Sequence, residues 1–209
     1  MLRKYDPRLI IGGLLILGGL LSLLDVAGFI GNAGDIFWGL IWGAVGVYFL
    51  YLLTVDRSRN WWAAFPGFVF VGMALSSFLP DSLDALGGLL FLGGVSLAFF
   101  WYYFGDTTGR WWAIIPAGVL LTLGVVSTLD EIAAFDTGGV LFIGLGLTFG
   151  LVAILPGGGG RSWAFIPAVI LLVMGTLLFP AFGLATYVGP ALLILLGLFF
   201  VFRFFKPAA

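Results

Sequence analysis

The chain has 209 residues and contains no Cys and no His. Disulfides, thiolate chemistry, and metal or haem sites that depend on His or Cys are therefore excluded. Charge is also scarce, because Asp, Glu, Lys and Arg make up 9% of the residues, against roughly 25% in soluble domains. Hydrophobic residues make up 62%. A soluble fold could not bury this much apolar surface, and we expect the chain to lie in a lipid bilayer.

The hydrophobic residues form eight runs that are separated by short loops. Each run is close to the ~20 residues needed to cross a ~30 Å hydrocarbon core, and helices are favoured because they satisfy their own backbone groups in lipid. The sequence predicts an all-α integral membrane protein, a single membrane domain over residues 1–209 with eight transmembrane helices. The predicted spans are Pro7–Leu24, Ile36–Thr54, Trp61–Leu79, Ala85–Phe104, Trp111–Leu129, Thr137–Leu155, Trp163–Phe179 and Leu184–Phe202.

The charged residues alternate between the loops. All nine basic residues lie at the N-terminus, in every second loop and at the C-terminus, together with Asp6, Asp56 and Asp106. The loops between hold seven acids and no base: Asp25, Asp35, Asp81, Asp84, Asp130, Glu131 and Asp136. Short basic loops stay in the cytoplasm, so we expect both termini there, in the inner membrane of a prokaryote. The first run is interpreted as an uncleaved signal anchor, since no small-x-small cleavage site follows it.

An internal repeat divides the chain into hairpins. The pattern Trp-Ala-x-x-Pro begins at Trp62, Trp112 and Trp163, and Ser22–Asp25 resembles Ser127–Asp130. The three Trp positions lie 50 and 51 residues apart. Self-similarity at such a period is typical of a repeated supersecondary unit. We therefore predict four tandem two-helix hairpins, related by rotation about the membrane normal and not by inversion. The four hairpins cover approximately residues 7–55, 61–104, 111–155 and 163–205.

Small residues recur at equivalent positions of the odd-numbered helices, two helical turns apart. One set is Gly12, Gly67, Ala117 and Ala168, and the other is Gly19, Ala74, Gly124 and Gly175. In lipid, small residues allow helix backbones to approach closely, so van der Waals contact holds the helices together. We predict close helix packing, and association with a membrane-protein partner or with another copy. A Gly-lined pore is the alternative.

The seven acids of the loops that hold no base, which we call the outer acids, allow two interpretations. Asp35, Asp84 and Asp136 precede even-numbered helices and are predicted to be N-caps, with Thr186 in the fourth hairpin. Alternatively, an outer acidic patch binds a divalent cation or a cationic peptide, although no spacing matches a calcium loop. The residues of that patch are Asp25, Asp81, Asp84, Asp130 and Glu131. No catalytic, metal-binding or cofactor-binding residue is predicted.

The remaining polar, aromatic and proline residues have structural interpretations. Trp and Tyr at helix ends are typical of interfacial belts. Pro66, Pro116 and Pro167 lie either in the first turn of a helix or at a bend. Hydroxyls within the spans are expected to bond to carbonyls one turn back. No acid or base lies at mid-membrane, which disfavours proton relays, voltage sensors and most ion-coupled carriers.

The first hairpin resembles the transmembrane hairpin of LiaI/LiaF-type bacterial envelope-stress proteins. The residues that carry the likeness are a Gly-punctuated Leu/Ile helix ending in Leu23-Leu24-Asp25, then a second helix that opens near Trp38 and carries Gly46. The later, Trp-led hairpins resemble those of HdeD-type acid-resistance membrane proteins. Both resemblances imply accessory or stress-linked membrane roles without catalysis. LiaF-type proteins usually append a soluble β-rich domain, which these 209 residues lack.

Three functions are compatible with the sequence. The first is a non-enzymatic accessory or scaffold subunit that associates with a membrane partner through Gly-rich helices. The second is an envelope-stress sensor or regulator that uses the acidic outer face. The third is a passive channel or carrier for a small neutral or lipid-like solute. Nothing in the sequence indicates nucleic-acid binding.

Overall fold

A computed structural model describes residues 7–155, 160–179, 187, 190–191 and 193–198. Within these residues the regular structure is helical throughout and no strand occurs, which confirms the predicted all-α class. The chain divides into two compact units, Met1–Tyr102 and Tyr103–Ala209. Each unit is described by itself below.

The first unit contains three complete helices and most of a fourth, which ends just past the unit boundary. Short 3₁₀ segments, Trp61–Ala63 and Asp81–Leu86, lead into the last two of these helices. The helices are α1 (Pro7–Val26), α2 (Ala33–Val55), α3 (Ala64–Ser77) and α4 (Gly87–Gly105).

The second unit is likewise built of α-helices, some of them preceded by short 3₁₀ segments. The 3₁₀ segments Trp111–Ala113 and Arg161–Ala164 precede its first and third helices. The helices are α5 (Ile114–Ile132), α6 (Gly138–Ile154) and α7 (Phe165–Leu178). Of the eighth predicted run, the backbone is helical at 190–191 and 193–198, and most other residues of that run lie outside the described part of the chain.

Four helical segments are long and apolar enough to cross a membrane, which is compatible with a membrane protein. They are Ala33–Val55, Asp81–Gly105, Trp111–Ile132 and Arg161–Leu178. Three shorter apolar helices accompany them: Ile11–Val26, Trp61–Ser77 and Gly138–Ile154.

Each repeated proline is the third residue of its α-helix. Pro66, Pro116 and Pro167 follow the starts of α3, α5 and α7 at Ala64, Ile114 and Phe165. In the first turn the missing N–H costs little, because it would have had no partner within the helix. The structure therefore supports the first-turn interpretation.

Glycines on α2 bring α3 into close contact. An ideal Cβ at Gly46 would lie 2.9 Å from the backbone N of Val71 and 3.1 Å from the carbonyl O of Gly67. One at Gly39 would lie 2.9 Å from the ring of Phe78. The residue numbers run in opposite directions, so the two helices are antiparallel. We call this interface the first glycine seam.

The same contacts recur between α6 and α7, at positions shifted by 100 or 101 residues. A Cβ at Gly146 would lie 2.9 Å from the backbone N of Leu172 and 3.1 Å from the carbonyl O of Ala168. One at Gly139 would lie 2.9 Å from both Phe179 Cα and the carbonyl O of Gly175. We call this interface the second glycine seam. Both seams join the second helix of one predicted hairpin to the first helix of the next.

Close approach also occurs inside the predicted hairpins. Between α3 and α4, a Cβ at Gly94 would lie 2.6 Å from the carbonyl O of Phe68, and a Cβ at Gly72 would lie 2.5 Å from the carbonyl O of Leu90. Carbonyl oxygens of the backbone cannot move aside as a flexible side chain can. Any side chain larger than hydrogen at Gly72 or Gly94 would therefore push α3 and α4 apart.

Between α5 and α6, a threonine of each helix packs on a glycine of the other. Thr148 packs on Gly118, and Thr122 packs on Gly144. Each hydroxyl donates within its own helix, Thr122 Oγ1 to the carbonyl O of Gly118 at 2.8 Å and Thr148 Oγ1 to that of Gly144 at 2.9 Å. The hydroxyls thus bond one turn back, as predicted for polar groups in lipid. Thr128 differs, because its Oγ1 is buried without a partner among the described residues.

A series of packed aromatic rings runs along the first glycine seam, from Trp38 near the start of α2 to Trp62 just before α3. Trp38 stacks on Trp42 and Trp42 on Phe70, each at 5.5 Å between ring centroids. Phe70 stacks on Phe49 at 6.2 Å, and Phe49 meets the edge of Trp62 at 5.8 Å. Such pairs add to the area they bury, by about 0.5–1.5 kcal/mol each. Phe70 of α3, and Trp62 just before α3, thus pack on aromatic rings of α2.

Candidate functional site

One face of α1 carries the pattern that forms the seams, and no described helix of the first unit packs against it. The pattern is small, large, small, large at Gly12, Ile16, Gly19 and Leu23, the spacing that places side chains on one side of a helix. Among the described residues, no atom lies within 4 Å of an ideal Cβ at Gly12 or Gly19. Ile16 is 73% and Leu23 69% exposed. We call these four residues the open α1 face.

The equivalent faces of α3 and α7 are closed. In α3 the pattern reads Gly67, Val71, Ala74 and Phe78, and α2 covers it. In α7 it reads Ala168, Leu172, Gly175 and Phe179, and α6 covers it. α1 touches α2 through its other side, where a Cβ at Gly18 would lie 3.3 Å from the ring of Phe37. Within the described residues of the first unit, the open α1 face is therefore an uncovered copy of a packing surface that is covered in α3 and α7.

The described part of the last helix is exposed on all sides. Leu193, Ile194, Leu195, Leu196 and Leu198 are between 47% and 72% exposed. Among the described residues, no atom lies within 4 Å of a Cβ at Gly197. Gly197 occupies the position of Gly46 and Gly146 in the repeat. This part of the helix thus carries a glycine at a seam position on which no described helix of the second unit packs.

In the first unit the acids of the outer loops lie at one end of the helices and are exposed or half-exposed. Asp25 lies in the last turn of α1, and Asp81 and Asp84 lie in the 3₁₀ segment before α4. The N-cap prediction is wrong at two positions. The N-cap of α2 is Asn32, and Asp35 lies inside the first turn, where its charge still suits the helix dipole. α4 begins at Gly87, three residues beyond Asp84.

In the second unit two of the outer acids hold the loop between α5 and α6. Thr137 Oγ1 donates a hydrogen bond to Asp130 Oδ1, which ties the two ends of that loop together. The Gly138 N–H donates to Asp136 Oδ1 at 2.8 Å, so Asp136 caps the start of α6 as predicted, although the N-cap position itself is Thr137. Glu131 is exposed near the end of α5. Thr186, the cap predicted for the fourth hairpin, lies outside the described residues.

The outer acids do not form a described metal site. No group of three or more Asp or Glu residues in the described part of the chain is arranged to hold a metal ion. Asp25, Asp81 and Asp84 belong to the first unit, and Asp130 and Glu131 to the second. The arrangement within each unit favours the capping and loop-bridging interpretation at Asp130 and Asp136.

Two acids at the opposite, basic end have a role that the sequence analysis missed. Asp56 Oδ1 accepts hydrogen bonds from the Ser58 N–H and hydroxyl and from the Arg59 N–H, at 2.9 to 3.1 Å. Asp106 Oδ1 accepts the same three bonds from Thr108 and Gly109, at 2.8 to 3.2 Å. The signal was present, because Asp-x-Ser/Thr recurs 50 residues apart, just before each Trp-Trp pair.

These hydrogen bonds stabilise the charged carboxylates. The Arg59 N–H and then the Ser58 hydroxyl hold the pKa of Asp56 below its ordinary value. The Gly109 N–H and then the Thr108 hydroxyl do the same for the pKa of Asp106. Both acids therefore serve as turn supports for the Trp-led starts of α3 and α5.

We expect these turns to open in acid. A carboxyl whose folded pKa is lowered contributes stability above its unfolded pKa of about 3.9, and this contribution is lost as the pH falls through the folded pKa. Hydrogen-exchange protection of the Arg59 and Gly109 amides should therefore decrease as the pH falls through the folded pKa of each carboxyl. Asp106→Asn should weaken the protection of Gly109 at neutral pH, whereas Asp81→Asn, at the other end of the helices, should not. Unchanged protection in Asp106→Asn would contradict this role.

Arginine side chains make further contacts at the basic ends of the helices. The guanidinium of Arg57 lies over the ring of Trp101, 5.0 Å from its centroid. In the second unit, Arg161 Nη2 donates to the carbonyl O of Leu155, which caps the end of α6. Favourable positive charge at helix C-termini accounts for this placement. Within each unit, apart from Asp56 and Asp106, the described acids and the arginines thus lie at opposite ends of the packed helices.

A surface groove lies beside α6 in the second unit. Its volume is about 330 Å³, and its lining is apolar: Leu147, Gly150, Leu151, Ile154 and Phe165. No polar side chain is among these lining residues. Such a groove can accept an acyl chain or an apolar side chain, but nothing in it selects a particular ligand.

Comparison of the chain with protein-family models, with curated proteins and with solved structures found no match. The geometry described above is therefore the basis for any functional assignment.

Proposed function

We propose that this chain is an eight-helix membrane protein that acts without catalysis, as an accessory or scaffold subunit that binds a membrane partner through small-residue helix faces. The observation that carries the proposal is the open α1 face. The residue pattern that holds helices together in both seams is present there, and no described helix of the first unit covers it.

Eight crossings are supported by how the short helices pack. Trp61–Ser77 lies antiparallel along α2, with contacts from Phe78 at one end to Trp62 at the other. Gly138–Ile154 lies in the same way along α7, and it also packs on α5. Their partners are long enough to cross the membrane. A helix of 17 residues reaches the lower end of the usual range of about 17–25 for a span.

The tandem-hairpin arrangement is supported by the recurrence of contacts. The seam residues of α2 reappear in α6 after 100 residues, and those of α3 reappear in α7 after 101 residues. The correspondence includes Phe78, which contacts Gly39, and Phe179, which contacts Gly139. We therefore include four tandem hairpins in the proposal. We also propose cytoplasmic termini, which the charge alternation favours, and the inner membrane of a prokaryote as the location.

The interior argues against a passive channel. Where α2 meets α3, and where α6 meets α7, backbone atoms of one helix lie against glycines of the other. A solid seam leaves no room for a solute path between these helices. The groove beside α6 is a surface feature lined only by apolar residues.

The resemblances to the LiaI/LiaF-type hairpin and to HdeD-type proteins are kept within the proposal. They fit an accessory role in the cell envelope, and they add the prediction that the partner is a stress-response membrane protein. The sensor alternative receives less support, because Asp130 bonds to Thr137 and Asp136 caps α6.

The proposal is tested by gentle solubilisation followed by native mass spectrometry. We expect the tagged chain to retain a protein partner, and we expect the double variant Gly12→Leu, Gly19→Leu to lose it. Leucine fits at both positions without a clash inside the chain, because both are open. Ala44→Leu places the same side chain on an exposed position of α2 and serves as the matched control. A lone, monodisperse monomer of the unaltered chain would overturn the proposal.

A further inference from the structure

We infer that the groove beside α6 binds an anionic phospholipid, whose acyl chain lies along the groove and whose phosphate accepts a hydrogen bond from Arg161. The inference goes beyond the proposed function, because it concerns a lipid ligand of the second unit and not a protein partner. It rests on two independent observations. The residues that open the groove differ from their counterparts in the repeat, and Arg161 has a buried nitrogen without a partner among the described residues.

The groove is built from positions at which the second unit departs from the first. Gly150 stands where α2 has Leu50, and Phe165 stands where α3 begins with Ala64. In the first unit the side chain of Leu50 covers the start of α3, since a Cβ at Gly67 would lie 2.7 Å from Leu50 Cδ2. No described atom lies within 4 Å of an ideal Cβ at Gly150. Glycine thus leaves open the space that leucine fills in the first seam.

The walls of the groove suit an acyl chain. Leu147, Leu151 and Ile154 are three and four residues apart and therefore share one side of α6. Two of their counterparts in α2, Tyr51 and Thr54, carry hydroxyls, which the second unit has replaced by apolar side chains. The three residues extend over about 10 Å of helix, the length of part of an acyl chain. Apolar contact over this length favours a hydrocarbon ligand.

Arg161 supplies positive charge at one end of the groove. Its Nη2 donates to the carbonyl O of Leu155, the residue that follows the groove residue Ile154. Its Nη1 is buried and has no hydrogen-bond partner among the described residues. A buried charged donor without an acceptor is costly, so this nitrogen needs an acceptor. Phosphate oxygens are acceptors that match the planar guanidinium particularly well.

The first unit shows that an uncharged side chain can perform the same cap. Asn60 is the counterpart of Arg161 in the repeat, and its Nδ2 donates to the carbonyl O of Leu52, in the last turn of α2, at 2.8 Å. The second unit has a charge and a spare nitrogen at this position. In the proposed topology Arg161 lies on the cytoplasmic side, where anionic headgroups attract basic residues. A positive charge beside an apolar groove is complementary to an anionic phospholipid.

The test uses two photoreactive lipids, a phosphatidylglycerol and a phosphatidylcholine, each with a diazirine in one acyl chain. Each probe is added to phosphatidylcholine vesicles that contain the purified chain, and peptide mass spectrometry locates the label after illumination. We expect the phosphatidylglycerol probe to label residues 147–154 roughly tenfold more than the phosphatidylcholine probe, the effect of one hydrogen bond to a charged group. Unlabelled phosphatidylglycerol should compete with the probe. Soluble glycerol phosphate should not, because it has no acyl chain.

Two variants separate the headgroup from the chain. Arg161→Asn keeps an amide that can cap α6, as Asn60 caps α2, and it should lower labelling by phosphatidylglycerol to the level of phosphatidylcholine. Gly150→Leu restores the side chain of the first seam in a space that is open, and it should reduce labelling of the groove by both probes. Arg57→Asn removes one positive charge at the basic end of the first unit and serves as the matched control. It should change neither result.

Equal labelling of the groove by the two probes in the unaltered chain would overturn the inference. Displacement by glycerol phosphate, or an unchanged preference in Arg161→Asn, would also overturn it. If Arg161→Asn does not fold, Gly150→Leu decides, and undiminished labelling in that variant counts against the site. Retention of a protein partner through Gly12 and Gly19 is measured separately, so the proposed function and the lipid site can fail independently.

Discussion

Replacing Gly94 by Ala should destabilise the protein, whereas the same change at the neighbouring Gly93 should not. A Cβ at Gly94 would lie 2.6 Å from the carbonyl O of Phe68, which belongs to the backbone of α3. No atom lies within 4 Å of a Cβ at Gly93 among the described residues. Overpacking of this kind costs about 1–3 kcal/mol. At an open helical site, Gly→Ala raises helix propensity by up to about 1 kcal/mol.

The measurement is thermal or denaturant unfolding of the two variants in the same detergent. Gly94→Ala should lower the free energy of unfolding, and Gly93→Ala should leave it unchanged or raise it. The two positions share a helix, a depth and a residue type, so helix propensity alone cannot produce a difference between them. Equal effects at both positions would show that the close contact between α3 and α4 does not contribute to stability.

Cysteine accessibility should show that α3, α4 and α5 each cross the membrane. We expect Ser82→Cys and Ala134→Cys to react with a membrane-impermeant maleimide in intact cells. Ser58→Cys and Thr107→Cys should react only after the membrane is opened. These positions lie in successive connections, before and after α3, α4 and α5. The effect is all or none, because the hydrocarbon core excludes the charged reagent.

The decisive comparison is between Ser58 and Ser82, on either side of Trp61–Ser77. If this short helix did not cross, both positions would react from the same side, and the eight-span topology would be wrong. Exchanging Arg57 and Arg59 for Asn in the Ser58→Cys chain is a further control. Basic residues in short loops set orientation, so the change should weaken the exclusion of Ser58 from the outer face.

Helix content was predictable because length and apolarity alone specify a membrane helix. The faces that α3 and α7 use were also predictable, since the spacing of Gly67 and Ala74 places both on one side of α3. What covers that face was not, because a helical period indicates a direction but not the element that lies there. For this reason the hairpins were predicted as units, whereas both described glycine seams join neighbouring hairpins.

The polar residues show where sequence reasoning fails locally. Asp136 caps α6, but Asp35 lies inside α2 and Asp84 lies in a 3₁₀ segment. A helix start depends on which backbone amides are left unpaired, and this varies with loop length. Asp56 and Asp106 were overlooked because charge counting treats them as exceptions to a basic loop. Their hydrogen bonds to the next amides could be found only with the backbone in place.

In the proposed eight-span topology, the short helices also affect the surrounding lipid. At about 1.5 Å per residue, the 17 residues of Gly138–Ile154 span about 26 Å, and the 23 residues of Ala33–Val55 span about 35 Å. A hydrocarbon core of ~30 Å matches neither length. Acyl chains next to α3 and α6 would have to shorten, while α2 would have to tilt. Mismatch costs only fractions of a kcal/mol per ångström, which is enough to favour membranes made of shorter-chain lipids around this protein.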